Sequence, residues 1–105
     1  MNLAVLGTGF APELDRKMKE TASERDVSQA DLIREAVLWF LSRKFEALPP
    51  RKRGRVKRVY RTVHLPAEHA ERIRALAERN NVSISYVVEY AVQQYFNENL
   101  PYCEK

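Results

Sequence analysis

Tyr60-Arg61-Thr62-Val63-His64-Leu65-Pro66 is a short run of β-branched and aromatic residues closed by a proline, and its reading decides the fold. Alternation along an extended chain puts Tyr60, Thr62 and His64 on one face and Val63 and Leu65 on the other; Arg61 then falls on the apolar face, where it fits poorly. Pro66 suits the end of a strand and the first turn of a helix, where its missing N–H costs nothing. Ala70, Ile73, Leu76 and Ala77 carry the helical period that follows. Asn80-Asn81-Val82 reads as the turn that ends this helix, because Asn tolerates the left-handed conformation common at helix C-termini. Ser83 is a natural N-cap for a second helix with Val87, Val88, Ala91, Val92, Tyr95 and Phe96 on its apolar side.

A shift of 55 residues lays the first half of the chain on the second without a gap: Val27-Ser28 falls on Val82-Ser83, Ala22 on Ala77, Ala36-Val37 on Ala91-Val92, and Met18 on Ile73. Leu14, Met18, Thr21, Ala22 and Arg25 form the corresponding first helix, Asp26-Val27 its turn, and Ser28 the next N-cap, with Asp31 three residues on as an imperfect capping box. Leu32, Ile33, Ala36, Val37, Phe40 and Leu41 repeat the apolar stripe of the second helix. Stripes this wide exceed what one short partner helix covers, so the two second helices are expected to pack on each other as well as on the first helices. In the first strand the same register turns Leu6, Thr8 and Phe10 inward and Val5, Gly7 and Gly9 outward, and two glycines strip that strand of side chains.

Each half reads as strand, helix, helix, and one strand does not make a sheet. The simplest donor of the missing strand is the other half. The expected fold is mainly α with a short antiparallel β-ribbon, two tandem repeats forming one intertwined unit. Halves of about 50 residues are marginal alone, which adds to the case for pairing.

A polar-facing strand closed by Leu65-Pro66, an amphipathic helix, then Asn81-Val82-Ser83 opening a second apolar helix resembles the ribbon-helix-helix DNA-binding family. The resemblance covers residues 58 to 97 and, more loosely, 4 to 41. Two units in one chain are similar in architecture to TraY-like accessory proteins of conjugative plasmids. The expected division is 1–45 first ribbon-helix-helix repeat, 46–57 basic linker, 58–100 second repeat and 101–105 tail. The resemblance implies a ribbon inserted in the major groove of double-stranded DNA, with Tyr60, Thr62 and His64 reading base edges and Ser28 and Ser83 marking helix N-termini that clamp phosphate. Val5, Gly7 and Gly9 stand where the first strand's readers would be, so one strand is expected to read while the other merely approaches.

Charge gives a second signal. Residues 43–61 hold nine Lys or Arg and one Glu, net +8 against +4 for the whole chain, so the remainder carries −4. Arg51, Lys52, Arg53, Arg55, Lys57 and Arg58 crowd this stretch around Gly54, and such density favours an anionic polymer through counterion release. Arg53-Gly54-Arg55 resembles the core of a minor-groove AT-hook but is followed by Val56 where that motif has proline. The plain alternative is a solvated spacer, and roughly 12 extended residues span up to about 40 Å, enough for the halves to pair within one chain or to exchange between chains.

Other classes fit less well. Gly7-Thr8-Gly9 after an apolar strand has the start of a dinucleotide-binding fingerprint, but Pro12 occupies the third glycine position and no long βαβ unit follows. His64 and His69 have no metal-ligand spacing with Cys103, and no cofactor, metal or catalytic group is expected. A single Cys suits a reducing cytoplasm, no run is long enough for a membrane span, and the start of the chain lacks the basic region of a signal peptide. The expected protein is a non-enzymatic DNA binder of a bacterial or archaeal cytoplasm, either a transcriptional repressor or a conjugative relaxosome accessory factor. It is a pseudo-dimer within one chain, open to homo-oligomerisation on DNA. The alternatives are an antitoxin-like interaction module, docking a protein partner through its C-terminal tail at Leu100, Tyr102 and Cys103, and a nonspecific DNA-packaging protein.

Overall fold

The computed structural model describes residues 3–43 and 58–99. Its elements run β1 (Leu3–Phe10), α1 (Pro12–Arg25), α2 (Gln29–Ser42), β2 (Val59–Pro66), α3 (Ala67–Arg79) and α4 (Ile84–Asn99). The strand-helix-helix order occurs twice, and β1 and β2 form one antiparallel two-stranded sheet within the chain.

The register carries more than the pairing. Gly7 lies opposite Thr62, Val5 opposite His64, and Gly9 opposite Tyr60. A shift of 55 takes Gly7 onto Thr62, so equivalent positions of the two halves meet at the centre of the ribbon. That is what a two-fold relation between the halves requires.

Local chemistry explains the joints. Asp26 and Asn81, equivalent under the shift, both adopt the left-handed conformation with φ of 56° and 55°. The following amides close the helix ends in the same way, Val27 N–H donating to the Ala22 carbonyl at 3.0 Å and Val82 N–H to the Ala77 carbonyl at 2.9 Å. Ser28 Oγ accepts from the Asp31 amide and Ser83 Oγ from the Tyr86 amide, each at 3.0 Å, so both serines are true N-caps. The expected capping box is not closed: the Asp31 carboxylate turns to Arg34 instead, one helical turn on along α2.

The core is drawn from both halves. Leu6, Phe10, Val63 and Leu65 bury the inner face of the ribbon, and Val37, Phe40, Val88, Val92 and Phe96 seal α2 against α4. Each such side chain contributes about 1.5–3 kcal/mol by leaving water. Thr8 is also fully buried, its hydroxyl donating to the Arg61 carbonyl at 3.3 Å.

Candidate nucleic-acid interface

The ribbon has one face spent on the core and one left to solvent. Tyr60, Thr62 and His64 are exposed on β2 while Val63 and Leu65 between and beside them are buried, as strand alternation demands. Tyr60 is 75% exposed. On β1, Val5 and Gly7 are exposed.

Gly9 departs from its expected place among the outward residues of β1. It is buried, because the ring of its cross-strand neighbour Tyr60 lies over it: a Cβ added at Gly9 would stand 2.8 Å from Tyr60 Cε1. The missing side chain is therefore the ring's seat. At Gly7, by contrast, an added Cβ would meet nothing within 4 Å. The backbone of Gly9 is occupied too, its N–H donating to Ser85 Oγ at 2.5 Å while Ser85 Oγ donates to its carbonyl at 3.3 Å.

Arg61 resolves as well. Its guanidinium makes two parallel bonds to the carboxylate of Asp15 on α1, Nε to Oδ1 and Nη2 to Oδ2, each 3.0 Å, and Gln29 Nε2 adds a third at 2.8 Å. Asp15 is only 4% exposed. Hydrogen bonding from Arg61 holds its carboxyl below the ordinary range against the opposing effect of burial, with Gln29 and the charges of Arg61 and Lys19 assisting. Arg61 is thus a structural cation, its charge engaged by Asp15.

The same holds for two more of the basic residues around the linker. Arg58 bonds Glu89 Oε1 at 2.7 Å with both side chains largely covered, 23% and 12% exposed, and Glu89 Oε2 accepts from the Ala11 amide at 3.0 Å. Arg43 pairs with Glu98 at 3.1 Å and lies over the Trp39 ring. Counting Arg58 with the free linker cations is therefore a mistake: at the first residue before β2 its charge is neutralised by a carboxylate. Arg51, Lys52, Arg53, Arg55 and Lys57 lie outside the described residues, as does the tail 101–105.

Both N-capped helix starts are exposed at Ser28 and Ser83. The start of α2 borders the outward strand directly, through an open cleft of about 330 Å³ lined by Gln29, Ala30, Ile33, Tyr60, Arg61 and Thr62. The structure thus brings the α2 N-terminus beside Tyr60 and Thr62, while His64 sits at the other end of β2, its carbonyl accepting from Arg34 Nη1 at 3.5 Å. Nothing in the periodicity marks Glu89, Ser85 or Gln29 as partners of the ribbon. Asp15 alone left a trace, a carboxylate beside Leu14 on the inner side of α1 with a misfit Arg61 to answer it. Among the described residues no group of three or more His, Cys, Asp or Glu is placed to hold a metal ion, and no helix is long and apolar enough to cross a membrane.

Residues 62–98 match the family model described as ribbon-helix-helix protein, copG family. The comparisons with curated proteins and with solved structures return no significant match.

Proposed function

We propose that this chain, a tandem strand-helix-helix protein whose residues 62–98 match the ribbon-helix-helix copG family model, recognises a specific double-stranded DNA site and represses transcription there. The observation that carries this reading is the outward face of β2, where Tyr60, Thr62 and His64 stand free on a strand whose other face is buried. A two-stranded ribbon fits the major groove, where each base pair has its own donor and acceptor pattern. Thr62 and His64 bring hydrogen-bonding groups to that pattern, and the Tyr60 ring and the Thr62 methyl suit the thymine methyl.

Affinity has a separate source. Phosphates are held by the backbone N–H groups at the N-termini of α2 and α4, at Ser28 and Ser83, with the helix dipoles favouring negative charge. Arg51, Lys52, Arg53, Arg55 and Lys57 add a sequence-independent, salt-sensitive term. The test is selection of bound duplexes from a random pool, repeated at low and moderate salt. A recurring short motif at both salts is the expected result; enrichment that vanishes with salt would leave only nonspecific attraction by the basic segment.

A further inference from the structure

The two halves are related by a two-fold axis through the ribbon centre, yet two polar clusters that join them have no counterpart on the other side. Asp15 meets Arg61 and Gln29; the shift of 55 carries these three to Ala70, Leu6 and Ile84, an apolar trio that packs in the core. Glu35 accepts from the Tyr95 hydroxyl and from Arg25, which also donates to that hydroxyl at 3.1 Å. The equivalent of Glu35 and Tyr95 is Tyr90 and Phe40, two rings packed edge to face at 5.9 Å. First half against first half would set Asp15 opposite Leu6, leaving it only Gln29 and Lys19 of its own half, and Glu35 opposite Phe40, without the Tyr95 hydroxyl. Second half against second half would set Arg61 opposite Ala70, a guanidinium with no carboxylate. Asp15 is buried, and a buried charge deprived of its main partner is strongly disfavoured, so pairing of the two unlike halves is favoured over pairing of either half with a copy of itself.

Every ribbon therefore contains one β1 and one β2, and its two ends differ. One end presents His64 beside Val5, the centre Thr62 beside Gly7, and the other end the Tyr60 ring seated on Gly9. Identical repeats would give two identical ends and match an inverted repeat in DNA. We propose that this ribbon instead takes a non-palindromic duplex site and binds it in a single orientation, with the imidazole end and the phenol end reading different base pairs and β2 reading across the centre. This rests on the ribbon being the DNA-reading surface.

The test uses the full-length protein and the duplex recovered from a random pool, changing each base pair of the recovered motif in turn and measuring binding of the wild type, His64→Ala and Gly7→Thr. A non-palindromic motif is expected, with His64→Ala flattening preference by about tenfold at one end only, the value of one good base contact. Gly7→Thr has open space for its side chain and is expected to add preference at the centre, on the side where wild type has none. An inverted-repeat motif that His64→Ala weakens equally at both ends would overturn the single orientation while leaving base reading intact. Binding indifferent to every base change would overturn base reading by the ribbon, and the orientation with it.

Discussion

Arg61 and Asp15 form a two-point ion pair across 46 residues of chain, from the inner face of β2 to a carboxylate on α1. The charged group that looks wrong on an apolar strand face is the one that ties the second strand to the first helix. It also distinguishes the two halves, since their equivalents, Leu6 and Ala70, are apolar.

Removing one member of that pair should cost more than removing both. Asp15→Ala strands the guanidinium and Arg61→Leu strands the carboxylate, each at about 3 kcal/mol, the lower end for a broken buried pair because the Arg61 side chain is a third exposed. Asp15→Ala with Arg61→Leu copies the apolar arrangement of the other side and should recover most of the loss. Urea midpoints of the four proteins check this; a double variant as unstable as the sum of the singles would show that the ion pair contributes nothing through mutual compensation.

Acid should unfold the protein through the same groups. Hydrogen bonds from Arg61 keep the Asp15 carboxyl below its ordinary value, and those from Tyr95 and Arg25 do the same for Glu35 against burial. Folded values below unfolded ones mean stability that is present above roughly pH 4 and lost as pH falls through the folded values. Asp15→Asn and Glu35→Gln together should therefore be less stable at pH 7 yet lose less between pH 5 and pH 2. A parallel pH profile for wild type and variant would place the acid sensitivity in other groups.

Gly9→Ala probes the seat of the Tyr60 ring. The added methyl group collides with Cε1 at 2.8 Å, but Tyr60 is three-quarters exposed and its ring has solvent to turn into. Stability should change by less than about 1 kcal/mol, while the Tyr60 ring resonances shift strongly. An unfolding cost above about 2 kcal/mol would mean that the ring is held in its seat.

Base reading and phosphate attraction should separate by substitution. Thr62→Ala and His64→Ala are expected to reduce preference for the selected site over a scrambled duplex by about 1–3 kcal/mol each. Arg51→Ala and Arg53→Ala should weaken both duplexes alike and lower the slope of affinity against salt by about 1 each. Equal losses on both duplexes from the strand changes would count against base reading. Arg58→Ala should act differently from the other basic changes, through stability, because its charge is already held by Glu89.

Ser28→Ala and Ser83→Ala each remove a side-chain cap observed at 3.0 Å, and should destabilise by about 1 kcal/mol. Backbone N–H groups survive the change, so DNA affinity at a temperature where the variants are folded should stay within about threefold. A loss on the order of a hundredfold would mean that the hydroxyls themselves bind phosphate.

Local order was legible in the sequence. Period-2 alternation at residues 60–65, the helical period of the four apolar stripes, the left-handed turns at Asp26 and Asn81 and the serine caps all follow from contacts a few residues apart, where spacing alone determines which side chains share a face. The gap-free shift of 55 carried further, because it already places Gly7 opposite Thr62 once the strands pair. Only the tertiary structure decided what answers Arg61, what covers Gly9, and which linker cation is spent before any ligand arrives. Those depend on which helix is brought against which strand, as in the approach of Asp15 to Arg61 and Glu89 to Arg58 across 46 and 31 residues. Periodicity specifies that a position faces inward; it does not specify the chemistry that meets it there, and in this protein that chemistry is what makes two similar halves unequal.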